Sequence, residues 1–260
     1  MTIKKKIGIA VIVTLCVCAL ISGGMFIHQY TDAKKSTEAF DSLTELITDT
    51  EVPESTDAAE DQDITEQTID EMALAYEKYA ALYEQNDDFV GWISIDGTSI
   101  NYPVMQTRDD PDYYLKHSFD KAYSDYGVPY VDEACAVGLS ANTVIYGHHM
   151  KNGTMFSALV NYADKSYFEE HPVITFNSLY GFGEYQIIAA FSFDTNNETF
   201  RYNEFADGSK TQFDEFIAEC MARRAYDTGY TAEYGDELLT LSTCEYTHNS
   251  GRFVVVAKKL

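Results

Sequence analysis

The chain changes period at Asn86, and that change constrains its fold more than any other feature. Before it, Ile69, Met72, Ala73, Tyr76, Tyr79 and Tyr83 recur at spacings of three and four, which predicts an amphipathic helix over residues 64–85. After it come eight short β-like runs: 90–95, 100–105, 128–131, 143–146, 173–177, 185–193, 237–243 and 253–259. Turn signals separate many of them, among them Asp96-Gly97, Asn152-Gly153, Gly181-Phe182-Gly183 and Asp207-Gly208. One long helix interrupts the series, because Phe213, Phe216, Ile217, Cys220, Met221 and Arg224 follow the helical period between the sixth and seventh runs. Eight strands in about 170 residues predict a mainly β fold, closed or nearly closed as a barrel. No internal repeat is present.

The start of the chain has a different character. Residues 7–27 are apolar apart from small residues and Thr14, long enough for a helix across a hydrocarbon core. Lys4, Lys5 and Lys6 precede the run and favour an N-terminus-in orientation. An uncleaved signal anchor is the expectation; a cleaved signal peptide is the rival, with Ser22-Gly23-Gly24 as small residues inside the run rather than after it. Residues 31–63 are polar and acidic and read as a flexible stalk, with partial helix over 34–46. The organisation is therefore 1–30 cytoplasmic start and anchor, 31–63 stalk, and 64–260 folded domain, divided into a helix (64–85) and a barrel (86–260). The net charge of −24 argues against a nucleic-acid partner, because phosphate binding needs clustered Lys and Arg. Residues 1–35 hold five lysines against Asp32 alone, so the body carries all of the acidity. An acidic body behind a basic start implies a soluble domain held off an anionic membrane surface.

Five cysteines are present: Cys16, Cys18, Cys135, Cys220 and Cys244. Three of them lie in the body. No Cys or His spacing suits a metal, and the acidic pairs 87–88, 109–110 and 169–170 read as solvated surface, so no metal and no cofactor is expected. An odd number of thiols outside a cell leaves at least one free, whether or not Cys135 and Cys220 are bridged.

Three residues stand where chemistry could be built. Glu237–Thr247 reads ELLTLSTCEYT, an apolar strand that ends in Cys244 before a polar turn, so a rigid element would hold a thiol open to substrate. A small buried hydrophobe is the competing role for that cysteine. Thr143–Met150 reads TVIYGHHM, a strand that ends in Gly147 and delivers His148. An imidazole beside a thiol favours its ionisation and can pass the proton to a leaving amine. Arg252 opens the last strand, and the short 245–251 link predicts antiparallel neighbours with Arg252 and Cys244 near one rim. A fixed guanidinium there could stabilise an oxyanion. His117, His171 and His248 have no evident partner in the sequence, and the many tyrosines read as packing.

In order, spacing and strand context, these segments resemble the sortases. TLSTC at Thr240–Cys244, Arg252 after it, and YGH well before it carry the resemblance. The YGHHMKNGTMF run at Tyr146–Phe156, GWISIDGTSINYPVMQ at Gly91–Gln106, the N-terminal helix and the helix between strands 6 and 7 resemble class B in particular, over about residues 64–260. The resemblance implies an eight-stranded sortase-type β-barrel with added helices. It implies Cys244 as nucleophile, His148 as general acid/base and Arg252 as oxyanion stabiliser, with His149 outside the chemistry. It implies that Tyr146, Ser242, Thr243 and Glu245 line a peptide groove. The substrates would be surface proteins with a C-terminal sorting signal of NPxTx type, cut after Thr. The acyl group would pass to an amine of a peptidoglycan precursor of lipid II type, on the outer face of the membrane of a Gram-positive cell.

Three other readings stay open or are disfavoured. A pilin polymerase would use a Lys amine as acceptor, and the absence of a lid motif before the barrel favours wall anchoring. A membrane-tethered binding module would hold Cys244 as a structural thiol. A papain-like hydrolase would place its nucleophile before its histidine, the reverse of the order here.

Overall fold

The computed structural model describes residues 3–47, 64–196, 199–245 and 251–260, with side chains for all of these except 3–13, 26, 28, 29, 64–69, 244 and 245. The chain divides into two compact units, Met1–Ser42 and Leu43–Leu260. Helix α1 spans Ile3–Thr44. The segment expected to begin a stalk at residue 31 is thus helical as far as Thr44. Its Ala, Lys and Glu content favours helix, and Lys34 pairs with Glu38 one turn on, Nζ to Oε1 3.5 Å. The rest of the stalk, 48–63, lies outside the described residues. Among the described residues no helix is long and apolar enough to cross a membrane. The run expected as an anchor, 7–27, lies partly outside them, since side chains 7–13 are not described.

In the second unit, α2 (Ile64–Gln85) precedes the barrel. Eight strands follow: β1 Phe89–Ser94, β2 Asn101–Met105, β3 Tyr130–Val131, β4 Asn142–Gly147, β5 Val173–Ser178, β6 Glu184–Asp194, β7 Leu238–Glu245 and β8 Gly251–Lys259. All eight β-like runs of the sequence become strands. They close in the order β1-β2-β3-β4-β7-β8-β6-β5. Two of the pairings are parallel, β2 with β3 and β4 with β7. Short helix α3 (Lys165–Glu170) and long helix α4 (Lys210–Arg223) complete the set, with 3-10 segments at Tyr113–Leu115 and Phe156–Ala163.

Burial explains the strand patterns. In β5 burial alternates along the strand, so one face meets the core. In β6 residues 185–191 are buried without alternation, because the barrel covers one face and α4 packs on the other. Helix α4 starts at a capping box, in which the Ser209 hydroxyl accepts from the Gln212 N–H and the Gln212 side chain accepts from the Ser209 N–H. Its Phe213, Phe216, Ile217 and Cys220 are buried, and Phe216 stacks on Phe205 at 4.8 Å between centroids. The Cys220 and Cys135 thiols are both free, and burial pushes the Cys135 thiol up to about 11, where it is inert at neutral pH.

The long β2–β3 connection forms one wall of the future site, and Asn86 fastens it. The buried Asn86 amide donates to Tyr114 Oη (2.7 Å) and to the Phe119 carbonyl (2.6 Å), while its oxygen accepts from the Asp88 N–H (3.0 Å). Tyr114 in turn donates to Asp88 Oδ2 at 2.8 Å. Asn86→Ala strands buried polar groups at both ends, so we expect a loss of about 1–3 kcal/mol, read as a lower denaturant midpoint with an unchanged slope.

Candidate active site

Three neighbouring strands end at one rim. The parallel β4–β7 register pairs Gly147 with Thr243, and the antiparallel β7–β8 register pairs Cys244 with Arg252. His148 follows Gly147 and Cys244 follows Thr243, so each comes directly after one member of that last pair. Adjacent strands lie about 4.8 Å apart. The fold therefore seats the backbones of His148, Cys244 and Arg252 side by side. The side chains of Cys244 and Glu245 lie outside the described residues, as does His248.

Gly147 is required by close packing rather than by a turn. A Cβ there would lie 2.5 Å from the Phe156 ring. Phe156 is fully buried and its N–H donates to the His148 carbonyl at 2.8 Å, so ring and backbone together hold the end of β4.

His148 and Arg252 both line a cleft of about 510 Å³. The other walls come from the β2–β3 connection (Asp112, Leu115), the β3–β4 region (Asp132, Glu133) and the β6–α4 connection (Arg201, Tyr202, Glu204). Of the residues expected in a peptide groove, Tyr146, Ser242 and Thr243 line this cleft. Tyr146 donates to Asp132 Oδ2 at 2.6 Å, and burial first, then that carboxylate, raises the phenol far above its ordinary range. Ser242 Oγ lies 2.7 Å from Tyr202 Oη, both buried. The Thr243 hydroxyl is buried and makes no hydrogen bond among the described residues, leaving a polar atom at the wall in need of a partner. Arg252 donates to the Gly251 carbonyl at 3.1 Å.

The half-buried His148 ring meets the Leu115 carbonyl, Nε2 to O 2.7 Å. Its pKa is lowered from the usual histidine value, first because burial disfavours the imidazolium. The Leu115 carbonyl opposes that shift, Lys116 adds to it and Asp125 opposes it.

Asp132, Tyr202 and the Leu115 carbonyl were not singled out in the sequence. They sit in or beside irregular connections, where no periodic pattern marks them. Two histidines thought to lack partners have them. His117 stacks on Tyr113 at 3.8 Å and contacts its carbonyl through Nδ1 at 2.6 Å, and His171 contacts the Asp96 carbonyl through Nδ1 at 2.8 Å. Asp88, read as surface, is partly buried against Tyr114 and Lys121.

A closed eight-stranded barrel with a cysteine strand end between a histidine and an arginine is a frame on which thiol-based acyl transfer could be built. Comparison with known proteins identifies the family. A family model described as the sortase domain matches residues 93–260. Sortase B of Staphylococcus aureus (strain NCTC 8325 / PS 47) is 34% identical over 184 residues, covering 70% of this chain and 74% of that protein. The solved Staphylococcus aureus sortase B–substrate complex superposes with a TM-score of 0.64 at 30% identity, covering 75% of this chain and 94% of that one. A sortase B structure complexed with triglycine gives a TM-score of 0.64 at 29% identity, with the same coverage. The chain belongs to the sortase family, and it is a class B cysteine transpeptidase.

The histidine gives a signed pH dependence. Its folded pKa lies below the unfolded value of about 6.5, so the unfolded chain takes up the proton more readily. The stability His148 contributes is whole above that value and erodes as pH falls through it. His148→Gln should lose less stability than the parent chain between neutral and mildly acidic pH, as measured by denaturant unfolding at a series of pH values.

Proposed function

We propose that Cys244 is the nucleophile of this transpeptidase, His148 its proton-transfer group and Arg252 its oxyanion donor, and that it anchors surface proteins carrying a C-terminal NPxTx-like sorting signal. One observation carries the assignment: the strand register that pairs Gly147, just before His148, with Thr243, just before Cys244, and that pairs Cys244 with Arg252.

The steps follow from the residues. The thiol proton passes to His148 and the sulfur attacks the Thr carbonyl of the signal. Arg252 and a backbone N–H hold the negative charge on the carbonyl oxygen. The C–N bond breaks, the proton moves from His148 to the leaving amine, and a thioester joins substrate to Cys244. An incoming amine then attacks the thioester, its proton passes by way of His148 to the departing sulfur, and a new amide forms. We take that amine to belong to a cell-wall precursor of lipid II type. A structural relative complexed with triglycine supports an amine-bearing acceptor, and the relative solved with substrate supports a peptide in the cleft.

Tyr146, Ser242, Thr243 and Glu245 are proposed as groove residues. The placement of Tyr146, Ser242 and Thr243 along the cleft supports this. We further propose that residues 7–27 tether the chain in a membrane with its N-terminus inside, residues 31–63 act as spacer, and residues 64–260 work outside the cell. The basic residues before the apolar run and the acidity of the body support that placement.

The test uses the full chain in detergent micelles with NPxTx and LPxTG peptides, with and without glycine-peptide and Lys-peptide amines. Mass spectrometry should find an acyl-enzyme of the NPxT type on the parent chain and none on Cys244→Ala. Arg252→Ala should lose about 10²–10³-fold in kcat. Efficient product with the Lys-peptide amine alone would identify a pilin-type polymerase instead. Turnover that survives Cys244→Ala would remove the assignment.

A further inference from the structure

The ring of His148 touches a backbone atom rather than a carboxylate. Its Nε2 lies 2.7 Å from the carbonyl oxygen of Leu115. A carbonyl oxygen only accepts, so while this bond stands the proton sits on Nε2 and the lone pair of the neutral ring sits on Nδ1. We propose that the Leu115 carbonyl is the positioning group of His148: it fixes the Nε2–H tautomer, makes Nδ1 the nitrogen that exchanges the proton in acyl transfer, and is itself kept in place by Gly127. The inference rests on the reading of His148 as the proton-transfer group.

The surrounding geometry is built to hold that carbonyl. Leu115 closes a 3-10 turn, its N–H donating to the Asp112 carbonyl at 3.0 Å. The flanking carbonyls are used elsewhere: Tyr114 O accepts from the Val128 N–H (3.0 Å) and Lys116 O from the Ser124 N–H (2.9 Å). Of three successive carbonyls, the middle one is turned to the histidine. Gly127 packs directly on this run. It has φ +59, and a Cβ there would lie 2.5 Å from Tyr114 O and 2.8 Å from Leu115 O. Both neighbours are backbone, so a side chain at 127 would have to push the turn, and the acceptor with it, away from the ring.

Three of the nearby carboxylates have other partners. Asp132 accepts from Tyr146, Asp112 from Tyr130, and Asp125 from Lys116 and Tyr123. Among the described residues, the charged and titratable groups around His148 are Asp112, Lys116 and Asp125 on the β2–β3 connection, Asp132, Glu133 and Tyr146 on the β3–β4 side, Arg201, Tyr202 and Glu204 on the β6–α4 connection, and Arg252 on β8, paired in register with Cys244. A neutral acceptor orients the ring without stabilising the imidazolium as a carboxylate would. The ring stays a base that can take the thiol proton, and once charged it is a strong acid toward the leaving amine. Burial pushes in the same direction.

The experiment weakens the acceptor while keeping every side chain. In the full chain, the lysine at 116 is replaced by its α-hydroxy analogue, so that the Leu115 carbonyl becomes that of an ester. This also deletes the Lys116 N–H, which bonds the Tyr113 carbonyl at 3.3 Å. A matched ester at Val128, which deletes the N–H to Tyr114 O, controls for loss of a turn hydrogen bond. Ring 15N spectra of the folded parent chain above pH 7.5 should show His148 protonated on Nε2. The ester at 116 should lower kcat about tenfold, the order expected when one positioning hydrogen bond is weakened. KM should stay within about twofold, and the acidic limb of the rate profile should move to lower pH as the imidazolium loses its acceptor. Gly127→Ala should move the limb in the same direction. An Nδ1–H tautomer in the folded chain would overturn the inference, as would an unmoved kcat and limb, or a control ester that moves the limb equally. If the parent chain transfers no acyl group at all, the functional reading fails by itself, and the tautomer spectrum still decides this one.

Discussion

The parallel pairing of β4 with β7 is the constraint on which the site depends. Two strands that each end in an apolar run would meet anywhere if only burial mattered. The register places Gly147 opposite Thr243, so the residues that leave the two strands emerge level with one another. Because side chains alternate along a strand, a slip of one residue would exchange the faces of Thr240, Leu241 and Ser242, three residues already committed to partners. Thr240 donates to Asn142 at 2.9 Å, Ser242 lies 2.7 Å from Tyr202, and Leu241 is fully buried. The register is thus fixed by contacts upstream of the chemistry, and the chemistry inherits it. Antiparallel β8 then adds Arg252 with no further requirement than a short return loop.

How much of this was legible in the sequence depends on what holds each part. Strands bounded by Asp96-Gly97 or Gly181-Phe182-Gly183 could be read because the turn residues and the apolar alternation report the same boundary. Helix α4 could be read because Phe213, Phe216, Ile217 and Cys220 all face its packing partner. Cys244, His148 and Arg252 could be named because each sits at the end of a readable strand. The parallel pairing could not be read, since nothing in β4 or β7 encodes a partner separated from it by two strands and two helices. Nor could the 3-10 stretch at Phe156–Ala163, which is an apolar run too short to tell from a strand. The walls of the cleft were hidden for a related reason. Leu115 acts through its backbone, which every residue possesses, and Asp132 and Tyr202 depend on tertiary neighbours that no local pattern announces.

The cleft is acidic in composition but sparing in usable base. Tyr146 donates to Asp132 at 2.6 Å and Tyr130 to Asp112 at 3.0 Å, so two of the carboxylates at the wall already accept a phenol hydrogen bond. A carboxylate so engaged is a weak base toward water. The imidazole at that rim is half-buried and held low by desolvation. For a transpeptidase that arrangement has a consequence. A thioester can be opened by water or by an amine, and water needs a general base far more than an amine does, because the neutral amine is already a good nucleophile. Tying two wall carboxylates to tyrosines removes two candidate general bases for water, which disfavours the hydrolytic branch without any wall that excludes water. A preference for transfer over hydrolysis would then draw on the hydrogen-bond partners of Asp112 and Asp132 as well as on the proposed thiol, imidazole and guanidinium.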